Sequence, residues 1–229
     1  MADRDMRAHV AALAGAAVIA ALATAGHAGA APGSACAQLG GTVGSDKVCE
    51  VRYSTTNYDL TFRFPTDYPD QQSVADYLTQ KRKDFVDWVG ANSLPSRTHP
   101  AELDVIGRAY QSSETQSLVF DIGEDTGVHP VNTFKAFNYN LATGAPITFD
   151  TLFMTGTDPL AVLNPIVRQQ AAKRDPTATV GDLTASAYQQ FAITDDAIIF
   201  FFNQDGLLPH VDGPLEVTVP RSDLASMLA

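Results

Sequence analysis

The chain has 229 residues, of which 45% are hydrophobic and 18% charged, which fits one globular domain, or two small lobes sharing a core, and excludes wholesale disorder. Its formal net charge is -11, from 15 basic and 26 acidic residues. The longest basic run is Lys81-Arg82-Lys83, so the clustered cations that displace phosphate counterions are missing, nucleic acid is not an expected partner, and an anionic membrane surface repels the chain as a whole.

Residues 1–30 read as an export signal. Arg4 and Arg7 give a positive start diluted by Asp3 and Asp5, an apolar run spans 10–25, and Ala28-Gly29-Ala30-Ala31 offers a small-residue cleavage site after Ala30. The run falls short of the ~20 residues of a spanning helix and ends at Gly26 and His27. A retained N-terminal anchor is the alternative. The expected mature product is one extracellular domain over 31–229 with no integral membrane span. Cys36 and Cys49 are the only cysteines, and in an oxidising compartment they are expected to pair. The bridge closes a short loop through Gly40, Gly41, Gly44 and Ser45, worth about 3 kcal/mol in the chain-entropy model. A thiol nucleophile would need an activating partner, and none stands nearby in the sequence.

Residues 48–54 and 58–64 read as a hairpin turning at Thr55, Thr56 and Asn57, with Tyr58, Leu60, Phe62 and Phe64 on one face. Pro65 and Pro69 end the second strand. Asp70 or Ser73 then caps a helix whose apolar stripe is Val74, Tyr77, Leu78, Phe85, Trp88 and Val89, interrupted by Lys81 and stopped by Gly90. Segments 101–112, 116–123 and 130–140 read as three strands of an antiparallel meander, with turns at 112–114 and 123–127 and another at Ala142-Thr143-Gly144. Asp158-Pro159 starts a short turn over 158–163. Pro165 removes a helical hydrogen bond, so the next helix is expected from 165 to 174, capped by Asn164. Residues 175–187 read as a loop or a short helix. A hairpin over 191–193 and 197–202 follows, its aromatic strand covered on both faces. A strand over 214–219 and a helical turn over 222–228 close the chain.

The mature region holds three histidines, His99, His129 and His210. No H-E-x-x-H and no G-x-S-x-G occurs, and a mononuclear zinc site would have to draw on His129, His210 and a distant carboxylate; no catalytic residue, metal ligand set or cofactor is expected. Asp195 and Asp196 read as turn residues bonding their own backbone, and Glu124 and Asp125 as a solvated loop. His129 opens a long strand behind Gly127. Together with Pro130 and Asn132 it is the candidate contact site for a ligand or partner. The other reading is a turn histidine that tidies a strand end.

Several blocks carry a resemblance. They are Tyr68-Pro69-Asp70-Gln71, the run from His129 to Asn138, Pro146 to Phe153, Phe191 to Asn203, Leu207-Leu208-Pro209, Val219-Pro220-Arg221-Ser222 and the final Met227-Leu228-Ala229, with the cysteine pair. Taken together they resemble the secreted immunogenic antigens of mycobacteria, the MPT/MPB type. From about residue 100 to 229, the elements Gly127 to Pro130 and Asn138 to Gly144 and the late aromatic hairpin are similar to the extracytoplasmic domain of lysozyme-sensing anti-sigma factors. The resemblance implies an α+β fold: a curved mixed and antiparallel sheet, one main amphipathic helix packed on it, and a β-grasp-like element. It also implies a secreted, immunogenic, non-enzymatic interaction protein, expected as a monomer, whose partners are host or cell-envelope components. The alternative it leaves is a cell-wall-associated hydrolase or a lysozyme- or peptidoglycan-sensing module.

Overall fold

Period-two alternation builds the first sheet of the computed structural model, which describes residues 33–92, 99–127 and 129–229. The expected export signal and cleavage site fall outside the described residues. A five-residue helix, α1 (Ser34–Gln38), precedes strands β1 (Thr42–Val43), β2 (Val48–Ser54) and β3 (Tyr58–Pro65). Leu60, Phe62 and Phe64 are buried as the alternation requires, and Thr55 closes the β2–β3 turn through its amide and hydroxyl to the Tyr58 carbonyl. Helix α2 (Gln71–Ala91) is capped by Asp70, whose carboxylate accepts from the Ser73 N–H at 3.1 Å. It carries the chain across the sheet to β4 (Ala101–Gln111), which pairs parallel with β3, as a helical crossover allows. Strands β5 (Thr115–Asp125) and β6 (Val131–Asn140) then complete the expected antiparallel meander, and β7 (Ala145–Pro146) adds a short edge.

One face of this seven-stranded sheet takes the stripe of α2. Val74, Leu78, Phe85 and Val89 pack with Leu60, Phe62, Leu103, Val105, Phe120 and Ile122 in one buried cluster. Close approach of strands matters here: a β-carbon on Gly107 of β4 would sit 2.8 Å from Cβ of Phe64 on β3, so the glycine leaves room for Phe64 tight against β4.

The opposite face takes a second sheet of three antiparallel strands, β8 (Phe191–Ile193), β9 (Ala197–Phe202) and β10 (Leu215–Pro220). The aromatic strand is covered on both sides, as its composition predicts. Phe201 packs toward Val119, Phe134 and Ala136 of the large sheet. Ile198, Phe200 and Phe202 point the other way, into a core with Leu163, Val167 and Tyr188. The layers therefore run helix, sheet, sheet, helix. Arg108 of β4 bridges the two sheets. Its guanidinium lies 5.3 Å from the Phe201 ring centre and donates to Glu216 of β10 at 2.8 Å, a cation–π contact joined to an ion pair.

Five expectations need correction. After the short helix α3 (Phe149–Leu152), one continuous helix α4 (Leu160–Arg174) replaces the expected break, with Pro165 inside it. Proline costs one hydrogen bond to a carbonyl four residues back. Burial of Leu163, Val167 and Ala171 along one stripe outweighs that loss. Asp158 still caps the start, accepting from the Ala161 N–H at 3.3 Å. Asn164 is not a cap. Its side chain is buried and bonds the Leu183 carbonyl at 3.1 Å, the Leu183 N–H at 3.3 Å and the Tyr188 hydroxyl at 2.7 Å. Asp195 does not bond its own backbone either: it accepts from the Ser113 N–H at 2.8 Å, while Thr194 closes the β8–β9 turn. Glu124 and Asp125 belong to β5 rather than a loop. The closing helix α5 spans only Arg221–Leu224.

The Asn164 network makes a direct prediction. Asn164→Leu leaves the Leu183 amide and the Tyr188 hydroxyl buried without partners, and is expected to cost about 1–3 kcal/mol, more than the equally apolar Val162→Leu. Urea unfolding of both variants reads the difference. Alkaline pH supplies a second expectation. Burial raises the Tyr188 phenol, and burial with the nearby Glu124 charge raises that of Tyr77, each to about 12. The folded protein thus holds protons that the unfolded chain releases near pH ~10. Stability from these groups is complete below pH ~10 and falls as pH rises toward about 12. Thermal unfolding measured in steps across that window shows a falling midpoint, and Tyr188→Phe makes the fall shallower.

Candidate functional site

The β6 strand sets the site. One of its edges pairs with β5, and the other meets β7 only at Tyr139 and Asn140. Along the rest of that edge, side-chain amides stand where a neighbouring strand would. The N–H groups of Asn132, Phe134 and Ala136 donate to Gln204, Asn203 and Gln190 at 2.8, 2.8 and 2.7 Å. These acceptors come from the segments flanking β8 and β9. They join the two sheets and blunt an edge that would otherwise be open to another strand.

His129 and Pro130 stand exposed just before β6, and Asn132 is half-buried within it. Asn132 is held from both sides of its peptide: its N–H donates to Gln204 Oε1, and its carbonyl accepts from the Gln204 N–H at 2.9 Å. Gln204 in turn donates through Nε2 to the His210 carbonyl at 2.8 Å. That contact brings the loop of residues 203–213 over the start of β6. The His129 and His210 ring centres lie 5.8 Å apart. His210 Nδ1 is 2.9 Å from Asp205 Oδ2. Val211, 89% exposed, projects from the same loop, a large apolar side chain left in water.

The loop owes its shape to local chemistry. Asp205 adopts a left-handed φ of 62°, a conformation aspartate tolerates better than most residues. Gly206 donates to the Asn203 carbonyl at 2.9 Å, and a β-carbon there would meet that oxygen at 2.8 Å. Arg174, at the end of α4, donates to the Asp212 carbonyl at 2.9 Å.

Beside His129 a shallow concavity of ≈ 240 Å³ is lined by Lys81, Glu124, Thr126, Val131 and Thr133. Lys81 of α2 is ion-paired with Glu124 of β5. That pairing explains the cation that breaks the apolar stripe of α2. Next to it, Lys135 lies over the Phe137 and Tyr77 rings, and burial lowers its pKa.

Sequence reasoning singled out His129, Pro130 and Asn132. The structure leaves His129 and Pro130 exposed ahead of β6, His129 beside Val131 and Thr133, and holds Asn132 half-buried against Gln204. Gln204 and Asp205 were missed, and His210 was joined to His129 only as part of a zinc ligand set that was not expected. The Asn203-Gln204-Asp205-Gly206 run was a readable turn signal, but which strand the turn would meet depends on the second sheet. Cys36 and Cys49 form the expected disulfide, with Cα atoms 5.6 Å apart. It pins α1 to β2, remote in sequence from the histidine face. Among the described residues no serine or cysteine side chain is hydrogen-bonded to a histidine ring, and no group of three or more His, Cys, Asp or Glu residues is placed to hold a metal ion. No described helix is long and apolar enough to cross a membrane.

Comparison with known proteins places this geometry among relatives. Residues 150–222 match the family described as "Protein of unknown function (DUF3298)". The chain is 44% identical over 196 residues to the protein named Esterase Rv3036c of Mycobacterium tuberculosis, covering 82% of this chain and 86% of that protein. It is 39% identical over 213 residues to Immunogenic protein MPB64 of Mycobacterium bovis and to Immunogenic protein MPT64 of Mycobacterium tuberculosis, covering 89% of this chain and 92% of each. Among solved structures, a DUF3298 family protein from Pseudomonas aeruginosa PAO1 aligns with a TM-score of 0.57 at 11% identity, over 80% of this chain and 92% of that one. A member of the same family from Bacteroides fragilis aligns with a TM-score of 0.52 at 15% identity, over 82% and 95%. At those identities the likeness concerns the fold.

Proposed function

Since this chain belongs to the family of the mycobacterial immunogenic proteins MPT64 and MPB64 and of the esterase Rv3036c, we propose that it is an exported, non-enzymatic binding protein whose contact face surrounds His129, Pro130 and Asn132. The observation that carries this reading is the combination of exposure and rigidity there. His129, Pro130 and Val211 are open to solvent, while Gln204 and Arg174 fix the backbone beneath them. Apolar and aromatic side chains held in one geometry lose little entropy when a partner covers them. Export fits the apolar segment over 10–25 and the buried Cys36–Cys49 bridge. The net charge of -11 favours a partner with a basic surface, met through long-range steering. Host proteins and cell-envelope components are the partner classes.

The test is comparative capture. The oxidised protein and a Val211→Asp, His129→Ala variant are immobilised side by side and exposed to envelope and host-cell extracts. Partners retained by the first and lost by the second support the face. Equal capture by both, or capture by neither, sinks it.

A second reading, ester hydrolysis, is favoured by one observation: the His210–Asp205 contact at 2.9 Å is the orienting half of a nucleophile–histidine–acid arrangement. It weakens on exposure, since the side chains of His210 and Asp205 are 41% and 54% accessible, and a catalytic pair works in a water-excluded pocket. Turnover of a short-chain ester separates the two readings.

A further inference from the structure

The two imidazoles that meet across the start of β6 form a feature that contact alone does not explain. His129 comes from the segment before β6 and His210 from the single 3-10 turn His210–Asp212 between β9 and β10. They are 81 residues apart in sequence, yet their ring centres are 5.8 Å apart with planes inclined by 63°. Neutral imidazole is the commonest side-chain ligand for a transition metal. Two imidazoles on one tetrahedral ion, each nitrogen at about 2.0–2.1 Å, place their ring centres roughly 5 Å apart. The observed spacing exceeds that by a fraction of an ångström, which a small rotation of the exposed His129 ring covers.

Asp205 supplies an independent observation. Its carboxylate can only accept, so the hydrogen of His210 sits on Nδ1, 2.9 Å from Asp205 Oδ2. In the neutral ring the lone pair is then on Nε2. A carboxylate behind a histidine in this way fixes the ligand tautomer and raises its basicity, the usual arrangement behind metal-bound imidazole. The loop needs no reorganisation, because Gln204 and Arg174 already hold the His210 and Asp212 carbonyls. The charge balance is compatible with a cation. Lys81, the ammonium lining the concavity beside His129, is neutralised by Glu124, and Asp205 adds a negative charge.

We infer that His129 and His210 form a two-histidine site for a divalent first-row transition ion, open to solvent, with water completing the coordination. Cu²⁺ binds ahead of Zn²⁺ at such nitrogen sites by the Irving–Williams order. Two protein ligands make it an exchangeable surface site and not a structural centre. The inference goes beyond the contact-face reading and stands without it, because the ion is measured on the isolated protein.

The experiment titrates the purified, disulfide-bonded protein, free of any polyhistidine tag, with Cu²⁺ and with Zn²⁺ by calorimetry, and records the copper electron paramagnetic resonance spectrum. One ion per chain is expected, copper the tighter, with hyperfine coupling to two imidazole nitrogens. His129→Ala or His210→Ala removes one nitrogen and weakens binding at least tenfold, and Asp205→Asn, which keeps both ligands, weakens it about tenfold. His99→Ala leaves it unchanged. Thermal unfolding of each variant in the absence of metal matches the parent, because both rings lie at the surface. Absence of binding overturns the inference, and so does binding that survives both single histidine variants or that moves with His99.

Discussion

Phe200→Ala is expected to lower the unfolding free energy by about 3–5 kcal/mol. The side chain is fully buried in β9, at the centre of the core between the small sheet and α4. Its ring stands edge-on to Tyr188 at 5.2 Å and lies 6.0 Å from Phe191 and 6.4 Å from Phe149. Truncation forfeits the transfer of the ring from water and opens a cavity that these neighbours cannot collapse into, since each is fixed by its own contacts. A domain of this size has roughly 5–15 kcal/mol of stability in all, so the loss removes a large share of it. Phe200→Leu, which keeps most of the volume, recovers a large share. Urea unfolding followed by near-ultraviolet circular dichroism measures both. A loss below about 1 kcal/mol for the alanine variant contradicts this packing.

Removing the disulfide has the second large effect. The double substitution Cys36→Ala, Cys49→Ala is expected to cost about 3 kcal/mol, within a range of about 2–5 kcal/mol. The loop it closes spans 13 residues of sequence separation. Other hydrogen bonds that tie α1 and its flanks to the rest are few: Ala35 N–H donates to Gln71 Oε1 at 3.3 Å, Gln38 Nε2 to Gln72 Oε1 at 3.4 Å and Gly33 N–H to the Thr66 carbonyl at 3.2 Å, and the Leu39 carbonyl accepts from the Tyr53 hydroxyl at 3.0 Å. Both sulfurs also pack around Gly41, where a β-carbon would come within 2.9 Å of either. The cost therefore falls first on the segment before β2. Limited proteolysis of the reduced or doubly substituted protein is expected to cut within residues 33–47 while the two-sheet core resists. Simultaneous loss of the whole core would show that the bridge holds more than α1.

Where the sequence was legible, a single periodicity decided the matter. The alternation of Leu60, Phe62 and Phe64, and the spacing of Val74, Leu78, Phe85 and Val89, identify the buried face of β3 and α2 without any long-range information. Less was legible where a residue's partner lies far along the chain. Lys81 looks like a flaw in an apolar stripe until Glu124, 43 residues away, is placed opposite it. Asn164 reads as a cap because asparagine before proline so often is one, and only the arrival of Tyr188 and Leu183 shows that its amide is spent inside the core. Asp195 follows the same pattern with Ser113. In the candidate site, His129 was visible from its position ahead of a long strand. Its neighbour His210 was visible as a residue but not as a neighbour, because that adjacency requires the small sheet to dock on β6 through Gln204, Asn203 and Gln190. Side-chain amides bonding a strand edge leave no periodic trace in sequence.

The most direct test of the proposed role is steady-state hydrolysis of a short-chain p-nitrophenyl ester by the purified, oxidised protein, set beside its His210→Ala and Asp205→Asn variants. An exposed histidine–aspartate pair that serves binding predicts rates equal in all three and no higher than those of an inert protein at the same concentration. Turnover by the parent that disappears in His210→Ala would contradict the account and assign the face to catalysis.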